Sequence, residues 1–189
     1  MPTPEPTTLR LHIYWSYANL AMAHAAVDKG AAKYGRVHFM IRAKLYKGLH
    51  TGSMNIRSLL DDERLKMNVP RVCAYCGAQG DLTLDHLMAK QFGGWDSADN
   101  IVWACRSCNS SKGSRDVLVW WQTRDAGPVP LLLVRRYLKL ALMTAEQHGV
   151  LDSPLGDLPS LPFEPSAIPT KYPAPATCRL WVKVTKLRA

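Results

Sequence analysis

Four cysteines fall in two C-x-x-C pairs, Cys73/Cys76 and Cys105/Cys108, while a fifth, Cys178, stands apart. Each such turn presents two sulfurs to one ion, so two turns together offer the tetrahedral thiolate set of a structural zinc ion. Paired spacing of this kind suits a reducing compartment rather than a disulfide framework, so a cytoplasmic protein is expected. Four thiolates close the ion's coordination shell, and chemistry has to come from other residues. Asp85-His86, an acid beside an imidazole, lies between the pairs; Asn109, Lys112 and Gly113 follow the second pair directly. A zinc cross-link would bring these two groups together. An isolated Asp-His pair is usually a surface hydrogen bond, and it is the cysteine frame that gives this one chemical weight.

Residues 71–115 supply the elements that would hold these groups. Leu82-Thr83-Leu84-Asp85-His86 alternates as a half-buried strand does, and Ile101-Val102-Trp103-Ala104 reads as a second short strand. A helix is predicted from near Arg106, with Ser114 placed to cap a continuation through Val117, Leu118, Trp120 and Trp121. Trp95, Trp103, Trp120 and Trp121 are read as core rather than as stacking platforms.

Outside this region the texture is different. Residues 1–10 read as a loose tail and 16–33 as a helix that Gly30 or Gly35 can end. The stretch 36–52 mixes basic and apolar residues without deciding between helix and strand. Asn55 or Ser58 could cap a short helix running up to Pro70. Pro130 is well placed to open a long helix ending near Gly149. Its apolar residues spread wider than one stripe, which fits a core helix or a surface for a protein partner or second copy. Residues 150–177 are rich in proline and expected to be extended, and 178–185 alternates as a final strand would. The chain thus divides into a mainly helical basic region (1–70), the site-bearing core (71–124), a C-terminal helix (125–150) and a proline-rich extension with a terminal strand (151–189).

Lys and Arg number 24 against 15 Asp and Glu, a net charge of +9 that zinc-bound thiolates would leave clearly basic. Such an excess suits a polyanion, nucleic acid first and an anionic membrane surface second. No membrane span is expected, because the apolar stretch 11–27 carries His12, Ser16, Asn19 and His24. Ala21-Met22-Ala23 has the form of a leader cleavage site, but the residues before it lack a leader's charge pattern, so none is expected.

The run from Cys73-Ala74-Tyr75-Cys76-Gly77, through Leu84-Asp85-His86, Gly93-Gly94 and Asp99-Asn100-Ile101-Val102, to Cys105-Arg106-Ser107-Cys108-Asn109-Ser110-Ser111-Lys112-Gly113 resembles the HNH endonuclease family in order and spacing. The resemblance implies an α+β chain. At its centre would be a ββα-metal core with a four-cysteine zinc site, flanked by N-terminal helices and by a C-terminal helix with the proline-rich tail and strand. It implies DNA as partner and His86 as the histidine that activates water. Asn100 would order the loop and orient that histidine. Asp85 and Asn109 would ligate a catalytic divalent ion, and their hard oxygen donors suit Mg2+ or Mn2+. Two positions depart from the common pattern: Asn109 stands where histidine is usual, and Ala89 where many members carry proline.

The chemistry explains the residue types. A phosphodiester repels nucleophiles; a bound dication offsets the charge developing on its oxygens, and a neutral imidazole takes the proton from water. The implied products are 5′-phosphate and 3′-hydroxyl ends. Lys90, Arg106, Lys112 and Arg115 are candidate contacts to the DNA backbone. Two other readings stand beside this one, a non-catalytic zinc ribbon that binds nucleic acid and a nuclease subunit targeted by partner proteins. By analogy alone, restriction, anti-phage defence or mobile-element biology would be the setting.

Overall fold

The computed structural model describes residues 6–56 and 71–183. The short helix expected between Asn55 and Pro70 falls mostly outside them. Helix α1 (Leu9–Asp28) starts earlier than its apolar pattern suggests. Thr8 caps it, its hydroxyl accepting from Leu11 N at 3.4 Å, and burial of Leu9 and Ile13 holds the first turns in place. Helix α2 (Arg36–His50) settles the stretch whose pattern was mixed. It packs on α1 and leaves Val37, Phe39 and Met40 exposed.

Strand β1 (Leu82–His86) pairs antiparallel with β2 (Ile101–Cys105), with Leu82 opposite Cys105 and His86 opposite Ile101. Helix α3 (Arg106–Lys112) leaves β2 without a break and touches both strands. Helix α4 (Val117–Gln122) follows. Asp116 caps α4, not Ser114: one carboxylate oxygen accepts from Leu118 N at 2.7 Å and Val119 N at 3.1 Å. Its other oxygen accepts from Tyr137 Oη at 2.5 Å. With Glu164 N also donating to that second oxygen at 3.1 Å, a carboxylate beside the positive helix end serves four donors here, which a serine hydroxyl could not match. Trp120 and Trp121 are buried, as expected, and meet Tyr75 edge-on.

Helix α5 (Leu131–Gln147) is a core element. Leu131, Leu133, Val134, Tyr137, Leu138, Leu140, Ala141 and Ala145 are all buried. They share one hydrophobic core with α1, the strands, Phe163 and Ile168. Much of its apolar breadth is taken up within the chain. The proline-rich extension wraps back over this core. Leu9 N donates to Ser153 O, and Arg10 forks onto Asp152 at 2.7 and 2.9 Å.

The terminal strand expected over 178–185 is absent from its described part, 178–183. The carbonyls of Arg179 and Leu180 instead accept from Leu131 N and Leu132 N at 2.9 and 3.0 Å. The segment satisfies orphan donors at the start of α5 in place of a strand neighbour. Among the described residues no helix is long and apolar enough to cross a membrane.

Candidate active site

The zinc frame is built from the ends of local elements. Gly77, at φ 76°, closes the first knuckle and donates to Cys73 O at 2.8 Å. Cys105 ends β2, and its sulfur accepts from Cys108 N at 3.5 Å as the N-cap of α3. All four sulfurs lie within 4.8 Å of one another, and those of Cys76 and Cys105 are 3.7 Å apart. A tetrahedron with Zn–S bonds of about 2.3 Å has edges of about 3.8 Å, so the set fits one zinc ion. Without an ion the sulfurs compete for protons. A hydrogen bond from Cys108 pushes Cys73 down to about 4. Burial pushes Cys76 up to about 11.

Asn100 orders the loop that carries the rest of the site. Only 1% exposed, it behaves like an extra peptide unit: its Oδ1 accepts from Met88 N at 2.8 Å, and its Nδ2 donates to Met88 O at 2.8 Å and Trp95 O at 2.9 Å. Gly94 lies so tightly against this loop that an added Cβ would come within 2.2 Å of Met88 O. Arg136, reaching from α5, ties down the next turn by donating to Ala98 O and Asp99 O, each at 2.5 Å.

Asp85 and His86 are adjacent on β1 and so face opposite sides. Asp85 points inward and is 5% exposed. Tyr75 Oη donates to its Oδ2 at 2.5 Å, and Lys112 Nζ to its Oδ1 at 3.1 Å. Tyr75 was not among the residues singled out in the sequence; its phenol is held neutral because burial and then the Asp85 charge push it well above the usual range. Lys112, a candidate phosphate contact, is itself buried, at 1% exposed. Its ammonium is spent on Asp85, on His86 O at 2.7 Å and on Gly113 O at 3.3 Å. It is a strut between α3 and the end of β1.

His86 faces the rim, its side chain 23% exposed. The structure adds a partner for it, Asp96, whose Oδ1 lies 2.8 Å from His86 Nε2. Lys90 Nζ donates to the other Asp96 oxygen at 2.7 Å. Asn109, on the first turns of α3, directs its Nδ2 to Thr83 Oγ1 at 2.9 Å and Leu84 O at 3.1 Å. That orientation leaves its Oδ1 as the remaining acceptor. Arg106 and Arg115 are exposed, and Arg115 also donates to Ser111 O and Lys112 O at the end of α3.

A two-stranded hairpin, a clamped loop and a helix, stapled by four cysteines around an Asp-His step, is now complete. Residues 73–115 match the family model of the HNH endonucleases. No curated protein and no solved structure matches the chain. The HNH segment accounts for the zinc-type cysteine cluster and supports a nuclease-type function for this part of the chain.

Proposed function

We propose that the chain hydrolyses DNA phosphodiester bonds, with His86 as general base. The observation that carries this reading is the contrast within β1. Asp85 is 5% exposed and held by Tyr75 and Lys112 with acceptor capacity left over, while the next residue, His86, sits at the rim with a partly open imidazole. A ribbon that only bound nucleic acid would need the cysteines but not this arrangement.

Asp85 and Asn109 would hold a divalent ion, Mg2+ or Mn2+. The donors are of the right chemical kind: among the described residues Asn109 Oδ1 accepts no hydrogen bond, and a carboxylate offers about four lone-pair sites, of which Tyr75 and Lys112 engage one on each oxygen. When bound, such an ion would supply positive charge to offset what develops on the phosphodiester oxygens. The protein's own groups do the rest. His86 takes a proton from water, Asn100 keeps the loop beside it in register, and Lys90, Arg106 and Arg115 offer cations for backbone phosphates. The net charge of +9 favours such a polyanion. Restriction, anti-phage defence and mobile-element biology are settings in which this activity would serve.

The test is nicking of supercoiled plasmid with Mg2+ or Mn2+, with and without EDTA. Wild-type protein is expected to cut and EDTA to stop it. His86→Ala is expected to lose roughly 10²–10⁴-fold in rate while keeping its zinc and its melting temperature. Cutting by His86→Ala at close to the wild-type rate would refute the assignment.

A further inference from the structure

We propose that Asp96 is a positioning residue for His86: it fixes which ring nitrogen takes the proton, and Lys90 holds it in place. The inference rests on His86 being the base. It assigns Nδ1 as the accepting atom.

Asp96 Oδ1 is 2.8 Å from His86 Nε2, and Asp96 Oδ2 accepts from Lys90 Nζ at 2.7 Å. Hydrogen bonds from Lys90 and then His86 hold the Asp96 carboxyl below the usual carboxylate range, so it is ionised at neutral pH. An ionised carboxylate only accepts, so Nε2 must carry the hydrogen. A neutral imidazole has one N–H, which leaves the lone pair on Nδ1. When water is deprotonated, its O–H bond breaks and an Nδ1–H bond forms. The ring becomes an imidazolium, its positive charge placed directly against the Asp96 carboxylate. The hydroxide is left to attack phosphorus.

The setting shows why Asp96 can do this. Its side chain is 58% exposed, so it fills no core. It is held by the loop: Asn100 grips Trp95 O one residue earlier, and Gly94 packs against Met88 O. Arg136 secures the following turn through Ala98 O and Asp99 O. A carboxylate on a free loop would lose much of its ordering effect to side-chain entropy; this one is delivered by a fixed backbone. Lys90, on the same loop, occupies the second oxygen and restrains the carboxylate from rotating away.

The experiment uses the full-length, zinc-loaded chain with Asp96→Ala, Asp96→Asn and wild type. Nitrogen-15 NMR of the His86 ring at pH 8, above the usual imidazole range, reads the tautomer without requiring activity. Wild type is expected to show the hydrogen on Nε2. Asp96→Asn, whose amide oxygen still accepts, should keep that tautomer; Asp96→Ala should show a mixture. In plasmid cleavage Asp96→Ala is expected to lose roughly 10–100-fold in kcat, the scale on which removing the carboxylate partner of a metal-bound histidine acts, with KM little changed. Asp96→Asn should fall between Asp96→Ala and wild type. An unchanged tautomer in Asp96→Ala, or full kcat in that variant, overturns the proposal. If wild-type protein does not cut DNA at all, the nuclease reading fails, and the NMR arm still decides whether Asp96 sets the His86 tautomer.

Discussion

Replacing Lys112 with methionine separates two physical accounts of one lysine. On the surface, a lysine at the end of α3 that contacted phosphate would contribute almost nothing to folding. Its loss would flatten the salt dependence of DNA binding by about 0.9 in log–log slope and leave the melting temperature nearly unchanged. The structure places it elsewhere, with side-chain exposures of 1% for Lys112 and 6% for Asp85. Lys112→Met keeps the stem's bulk but removes the ammonium, leaving Asp85 buried with, among the described residues, only the Tyr75 hydroxyl as donor and His86 O without this partner. Breaking a buried pair from one side costs about 3–5 kcal/mol. For a chain of this size each kcal/mol is worth about 2–4 °C, so the melting temperature should fall by roughly 6–20 °C. Differential scanning calorimetry on zinc-saturated protein measures this. The double variant Asp85→Asn/Lys112→Met, which removes both charges and keeps an acceptor for Tyr75, should recover part of the loss. A Lys112→Met shift below about 2 °C, together with a reduced salt slope, would refute the buried strut and restore the phosphate contact.

Three further expectations follow from other parts of the molecule. One zinc per chain should be found by elemental analysis; Cys105→Ala should lose it, along with the N-cap of α3, and show reduced helix content by circular dichroism. Asn100→Ala leaves Met88 N, Met88 O and Trp95 O without their partner, which should cost on the order of 2–4 kcal/mol in denaturant unfolding. Asn100→Asp should be no better, because it turns a carboxylate oxygen towards two carbonyls. His12 is 8% exposed, and burial holds its pKa below the ordinary 6.5. The unfolded chain therefore binds that proton more readily than the folded one. Stability should fall as pH drops through about 6.5 and level off below the folded-state pKa, and His12→Gln should weaken that dependence in pH-dependent melts.

The site was legible where its signal is local. The two C-x-x-C turns, the alternation of 82–86 and the helix start near Arg106 each rest on signals a few residues apart, and each took the form its spacing implied. Asn100 was found through its place in the family pattern, and the structure supplies the reason: a bidentate amide substituting for a backbone unit. Tyr75 and Asp96 carry no local signal. A tyrosine inside a zinc knuckle and an aspartate after a Gly-Gly-Trp turn are ordinary until the chain closes on itself.

Sequence alone determined the four-cysteine set, the order of strand, loop, strand and helix, and the basic charge, because these depend on residue type and short spacing. Tertiary structure decided what each charge faces. Lys112 and Lys90 look alike in the chain, yet one is buried against Asp85 and the other sits exposed on Asp96. The apolar breadth of α5 could serve a core or an interface until α1, Phe163 and Ile168 covered much of it. The alternating residues 178–183 could serve a sheet until the start of α5 took their carbonyls. The physical reason is the same in each case: a hydrogen bond or an apolar face names a chemical requirement, and only the folded chain says which distant residue meets it.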